Sequence, residues 1–253
     1  MTRRYLFPLG VASALALLLA VGVKLNADPP GPPAPEPEQA VADEGIAMEA
    51  PAGAIKHPGV PLWVDPKKKV VYVDGFICVT KGYLEVFACV KGSKQHESVV
   101  AINAKPSQVH TALLAIGAKQ GTPVQFQPEY KPPTGNEIDV FVIWKDDKGV
   151  EHKVRGQELV RAVKTKKHLE APWVFAGSGF WHDEQTGQQI YKADQGEFIC
   201  LSNFPSATLD LPIESTNNNE NLMFEAFTEK LPPTDTKVRL MLAPKGEKGK
   251  AAG

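Results

Sequence analysis

The chain has 253 residues, enough for one sizeable domain or two small ones. Its 28 Lys plus Arg nearly balance its 29 Asp plus Glu, so there is no basic excess to hold a nucleic acid. Nor is there an acidic run long enough to act as a counterion buffer.

The N-terminus reads as a targeting segment. Arg3 and Arg4 form a positive start, Leu6 to Val23 is almost wholly apolar, and Leu25-Asn26-Ala27 is a small-residue cleavage site before Asp28. Residues 1–27 are therefore expected to be a secretory signal peptide or, if uncleaved, an N-terminal membrane anchor. In both cases the paired arginines stay inside and the rest of the chain is exported to the periplasm or cell envelope. Residues 28–58 are rich in Pro, Ala and Glu, a composition that buries too little apolar surface to offset chain entropy, and are expected to form a disordered tether. The tail at 245–253 reads the same way, which leaves a folded domain at 59–244.

Within the domain, Val70 to Thr80 and Tyr83 to Val90 have strand composition, with Lys81-Gly82 between them. A glycine there supplies the positive φ of a two-residue hairpin turn, which would set Thr80 opposite Tyr83. Val73, Ile77 and Val79 then share an apolar face, while Asp74, Phe76 and Cys78 lie on a mixed one. Ser98 to Ile102 is a third strand. Pro106 opens a helix with Val109, Ala112, Leu113 and Ile116 at helical spacing, closed by Gly117 or Gly121. Pro123 to Phe126 is a returning strand. Glu137 to Trp144 alternates, turns at Asp146-Asp147-Lys148-Gly149 and returns from Val150 to Val154. Gly156 to Lys164 is expected to be a short helix, and Trp173 to Trp181 a strand interrupted by Gly177 and Gly179.

The stretch Phe76-Ile77-Cys78-Val79-Thr80 returns as Phe198-Ile199-Cys200-Leu201-Ser202. Val71-Tyr72 is echoed by Ile190-Tyr191, and Glu97-Ser98 by Glu214-Ser215. In the second segment Asn217 and Glu220 suggest a capping box before a helix carrying Leu222, Met223, Ala226 and Phe227, ahead of a last strand at Lys237 to Leu242. The pattern predicts an α+β fold with a mainly antiparallel sheet. Its unit of hairpin, strand, helix and strand is duplicated at 70–126 and 189–242, with a β-rich insert between the copies.

Several of these stretches together resemble the YdjY-domain family of exported bacterial proteins. They are His96-Glu97-Ser98-Val99-Val100, Leu113-Leu114, Gly121-Thr122-Pro123-Val124, the run Pro172 to Trp181, and Ser202-Asn203-Phe204-Pro205-Ser206. The family's biochemical role is unassigned. Some of its members are described as ferredoxin-like on account of extra cysteine clusters. This chain has no such clusters, so no iron–sulfur centre, and no other cofactor, is expected.

The candidate chemistry is sparse. His96 and Glu97, with His110 as a third group, are candidate metal ligands or an acid/base pair, since His titrates near neutral pH. Glu214 would join them as the pseudo-symmetry mate of Glu97. The plain alternative is a turn and strand entry, with Glu97 capping backbone donors and Ser98 on the edge. Asp183 and Glu184 could hold a cation or simply form a polar turn. Trp144, Trp173 and Trp181 could line a ligand groove or belong to the core. For the cysteines, the hairpin register would set Cys78 and Cys89 about 13 Å apart, too far for a disulfide. Three free thiols are expected, with Cys78–Cys200 as the alternative bridge. Two readings follow: an exported, non-catalytic module that binds an envelope partner or small ligand, or a metal-assisted hydrolase or lyase using His96, Glu97 and Glu214. A redox accessory role through Cys78, Cys89 and Cys200 is the third. Membrane contact is expected only through an uncleaved N-terminus.

Overall fold

Alternation of buried and partly exposed residues along β-strands builds the centre of the domain. In chain order the strands are β1 (Ile55–Lys56), β2 (Leu62–Asp65), β3 (Val70–Ile77), β4 (Val86–Val90) and β5 (Ser98–Ile102). Helix α1 (Pro106–Ala115) follows, then β6 (Glu137–Lys145), β7 (Glu151–Arg155), β8 (Val160–Ala162), β9 (Trp173–Val174) and β10 (Phe180–His182). The last are β11 (Gln189–Tyr191), β12 (Ile199–Cys200), β13 (Phe224–Ala226) and β14 (Lys237–Pro244). This computed structural model describes residues 48–184, 186–215 and 222–246. The expected signal peptide or anchor, most of the tether, the Asn217–Glu220 capping box and the end of the tail lie outside the described residues. Among the described residues no helix is long and apolar enough to cross a membrane.

The main sheet runs β12-β4-β5-β3-β14-β6-β7, with β2 also on β3, β1 on β2 and β9 on β6. Its pairings are antiparallel except β4 with β5, which are parallel. Val71 and Val73 of β3, Val238, Leu240 and Leu242 of β14, and Val140 and Val142 of β6 are fully buried on one face. They pack with Val109 and Leu113 of α1 and with Trp173 and Phe175 in a single core. The intervening residues Tyr72, Asp74, Phe141, Ile143 and Met241 are only partly buried, so the opposite face meets solvent in part. Helix α1 starts at Pro106, where a missing N–H costs nothing, and the Asp194 carboxylate accepts bonds from the Ser107 N–H and hydroxyl, both at 2.8 Å.

The α+β class and the mainly antiparallel sheet stand as expected, but several details are corrected. The predicted hairpin of 70–80 with 83–90 does not form, because β5 lies between β3 and β4. Gly82 does have positive φ, +101°. However, the turn it makes sends the chain toward β13: Leu84 N–H bonds Phe224 O, and Ala226 N–H bonds Gly82 O, each at 3.0 Å. The turn signal was local and did not specify which strand would be the partner. Pro123 to Phe126 is not a strand; only an isolated bridge joins Gln125 to Lys131. Gly156 to Lys164 is a 3₁₀ turn, Gly156–Leu159, followed by β8, which pairs with β13. The apolar residues Leu159 and Val160 are buried in that arrangement as they would have been in a helix. The run 173–181 divides into β9 and β10 at Gly177 and Ser178, whose φ values are +87° and +54°.

The two Phe-Ile-Cys segments are not built alike. The first ends an eight-residue central strand, whereas Ile199–Cys200 is a two-residue strand at the sheet's edge. Tyr72 lies in the main sheet, and its sequence echo Tyr191 lies in the separate β10-β11 ribbon. In place of the second predicted helix, Phe224–Ala226 is a strand. The described residues thus show no internal duplication.

Candidate functional site

The partly exposed sheet face carries a groove of about 1090 Å³. Its floor is Tyr72 of β3, Ile143 of β6 and Arg239 of β14. Its rim is formed by Lys145 with the β6–β7 turn (Asp146, Asp147, Gly149) and by Thr236 and Lys237. Residues 48–52, which fall within the stretch 28–58 predicted as a tether, form the remaining wall. This segment is held to the sheet. The Arg239 guanidinium donates to Glu49 O at 2.6 Å and Met48 O at 3.3 Å, and β1 pairs with β2 a few residues on.

Arg239 organises the floor. It stands directly opposite Asp74 on the neighbouring strand, with Nε at 2.5 Å from Oδ1 and Nη2 at 2.8 Å from Oδ2. Its guanidinium also lies 4.6 Å from the centre of the Trp63 ring. Burial pushes the Asp74 carboxyl up from its ordinary value, and the Arg239 charge, then Lys56, offset only part of that. At the rim, Asp146 accepts from the Lys148 and Val150 N–H groups and meets His152 Nε2 at 2.9 Å. His152 foremost, and these backbone donors, hold its carboxyl below the usual range. The groove is thus a preformed pocket whose floor sets the Arg239–Asp74 pair between Tyr72 and Ile143, with further cations and carboxylates at the rim and fixed walls. Its volume is at the upper end for a small-molecule site.

The residues singled out from sequence lie elsewhere. His96 is four-fifths exposed, with Nε2 3.8 Å from Glu97. Glu97 instead joins Glu85 and Glu197 around the Lys94 ammonium, at 3.3, 3.2 and 3.4 Å. The ammonium also lies 4.5 Å from the centre of the Phe204 ring. Burial lowers the Lys94 pKa, and the carboxylates, Glu197 first, more than offset it. His110 contacts Tyr191 Oη through Nδ1 at 2.8 Å and meets Phe175 edge-on; burial lowers its pKa. Glu214 is exposed. Among the described residues no group of three or more His, Cys, Asp or Glu is placed to hold a metal. Asp183 forms a turn, its carboxylate accepting from the Thr186 N–H. Trp173 is fully buried, donating to Cys200 O at 2.8 Å, and Trp144 is buried against the stacked His152 ring. Trp181 is 39% exposed beside Phe180 on β10. The three tryptophans therefore do not line one groove.

Sequence reasoning missed Arg239 and Asp210. Each had a signal, a charge flanked on both sides by apolar residues: Val238-Arg239-Leu240 and Leu209-Asp210-Leu211. Asp210 is fully buried. Its Oδ1 accepts from Asn203 Nδ2 at 3.1 Å and the Leu211 N–H at 2.8 Å, while Oδ2 has no partner. Burial pushes its carboxyl up to about 7. Asn203 in turn accepts from the Ser215 N–H at 2.9 Å, so Asp210 ties the 203–215 loop together.

Against known proteins, the family model described as YdjY domain matches residues 62–243. No curated protein and no solved structure matches the chain.

Proposed function

The chain belongs to the YdjY domain family, and on that footing we propose that it is an exported envelope protein whose domain binds a small ligand in the Tyr72–Ile143–Arg239 groove without catalysing a reaction on it. The carrying observation is the groove itself: a volume of about 1090 Å³ with walls fixed by the Arg239 hydrogen bonds to residues 48 and 49. Pre-organised walls reduce the ordering cost of binding. Residues 48–52 of the predicted tether form a wall of the groove, so a bound ligand would lie next to the segment expected to lead back to the membrane. Glu97 supports this reading over the hydrolytic one, since it is engaged with Lys94.

The test is native mass spectrometry of protein released from the envelope without denaturation. A bound small molecule is expected on the wild-type chain. It should be lost in a Tyr72→Ala, Ile143→Ser double variant that keeps the wild-type circular dichroism spectrum. A wild-type protein free of ligand, or a ligand retained by the double variant, would overturn the assignment.

A further inference from the structure

A second cleft, of about 670 Å³, lies at the other end of β6 from the groove. Glu137 at the start of β6 lines the cleft, whereas Ile143 and Lys145 near its end line the groove. The nine residues of β6 span roughly 26 Å, and the two sites share no lining residue.

The cleft is polar, and its charges balance. Arg155, Lys230 and Lys245 supply three cations, and Glu137, Glu158 and Glu170 three carboxylates, with His168 beside them. Two of the cations are tightly engaged: Lys245 Nζ lies 2.8 Å from Glu137 Oε2, and Arg155 Nη2 lies 2.6 Å from Asp139 Oδ1. Lys230 is held loosely, its Nζ 3.9 Å from Glu158 Oε2. Glu170 is exposed and has no ion-pair partner among the described residues.

The buried polar group of the cleft is Gln157. It sits in the 3₁₀ turn Gly156–Leu159, which is packed firmly onto the core. A Cβ on Gly156 would lie 3.0 Å from the Phe87 ring and 3.1 Å from the Trp173 ring, and Leu159 is fully buried. Gln157 is only 6% exposed, yet its Oε1 has no hydrogen-bond partner. An unpaired polar group at that depth is costly, and a ligand that pairs with it recovers the loss. Nothing bonds that oxygen in place, so a half-turn of the amide presents either its acceptor or its donor to the cleft.

We propose that the cleft binds a short peptide with free termini, its ammonium at Glu170, a peptide unit against the Gln157 amide and its carboxylate at Lys230. The Gln157 amide carries one carbonyl and one N–H₂ group, which complement the N–H and C=O of a peptide unit. A zwitterion has no net charge, and neither has the set of cations and carboxylates around it, so neither end is bound against a net field. An inorganic anion would meet the three carboxylates, and a polyamine the three cations. Lys230 gives up only a 3.9 Å contact with Glu158 to reach the ligand. Leu169 and Pro172 supply an apolar contact for a small side chain. The volume falls inside the roughly 300–1,000 Å³ of small-molecule sites.

The test is calorimetric titration of the full-length protein with tri-alanine, with its N-acetylated form and with its C-amidated form. One equivalent of the free tripeptide should bind per chain, and each capped form should bind about tenfold or more weakly. Glu170→Gln should weaken the free tripeptide about tenfold and leave the acetylated form within about threefold of its wild-type affinity. Lys230→Gln should do the same for the free and amidated forms. The groove variant Tyr72→Ala, Ile143→Ser should bind tri-alanine within about threefold of wild type, which separates this site from the groove. In ¹⁵N-labelled wild-type protein the Gln157 side-chain amide signals should shift on titration, a readout that needs no Gln157 variant to fold. No binding of tri-alanine, equal affinity for the capped forms, affinity unchanged in Glu170→Gln, unmoved Gln157 signals, or loss of binding in the groove variant would each overturn the site.

Discussion

Arg239 and Asp74 face each other across the β14–β3 ladder as a two-pronged ion pair on the sheet face away from the main core. The Arg239 side chain is 6% exposed and that of Asp74 17%. Removing one partner of such a pair strands the other charge, at a cost of about 3–5 kcal/mol when burial is complete. Arg239→Met is therefore expected to lose about 3 kcal/mol, measured by urea unfolding. It should also free residues 48 and 49 and expose that segment to protease. Asp74→Leu combined with Arg239→Met should recover most of the loss, because no unpaired charge remains.

Asp210 predicts a pH dependence of the opposite sense to that of an ordinary paired carboxylate. Its folded-state value is raised from 3.8 to about 7, so the folded state holds the proton more tightly than the unfolded chain. Below the unfolded value both states are protonated and nothing is lost. As pH rises from about 4 to about 7 the unfolded chain ionises first and stability falls, by an amount on the order of 4 kcal/mol when complete. Urea midpoints between pH 4 and pH 8 should show this decline in the wild-type protein. Asp210→Asn keeps the Oδ1 acceptor and should remove the decline.

Export is tested at the N-terminus. Arg3-Arg4, the apolar run to Val23 and Ala27 predict that the mature chain begins at or near Asp28. N-terminal sequencing of protein from the native envelope should give that start. Full-length chain in the membrane fraction would select the anchor, and full-length chain in the cytosol would contradict export.

Local pattern made most elements legible. The alternation in 137–144 placed Val140, Val142 and Trp144 on the buried face, and β5 and α1 begin where Ser98 and Pro106 suggested. The faces of β3 were also readable, with Val73 and Ile77 buried and Asp74, Phe76 and Cys78 partly exposed. Pairing was not readable. Period-two alternation fixes which side a residue faces, but not which strand lies alongside. Here β5 enters between β3 and β4 through the short 91–97 connection, which folds back so that Lys94 reaches Glu85 near the start of β4. The same rearrangement gathers Cys78, Cys89 and Cys200 into one apolar cluster and engages Glu97 with Lys94, so the candidate sites depended on long-range order that local spacing did not encode.

Gly75 is the residue through which that order can be tested. It lies mid-strand in β3, opposite Ile102 of β5. No turn or positive φ calls for glycine there, and a glycine inside a strand ordinarily weakens it. The reason for it is distance: a Cβ at position 75 would lie 2.1 Å from Ala101 O and 2.9 Å from Ala101 C. Both are backbone atoms of β5, so no rotamer change relieves the contact, and β3 and β5 would have to separate in the middle of the main sheet. Overpacking a core by a methyl group typically costs about 1–3 kcal/mol; with backbone on both sides, Gly75→Ala should reach or exceed the upper figure. Gly82→Ala is the control. Its φ is +101° but nothing lies within 4 Å of the added Cβ, so only backbone strain of about 1–2 kcal/mol is expected. Thermal unfolding of the two variants side by side should place Gly75→Ala well below Gly82→Ala. If β3 and β4 instead paired as a hairpin with Gly82 in its turn, that order would reverse, because Gly82 would then govern the register of the whole sheet.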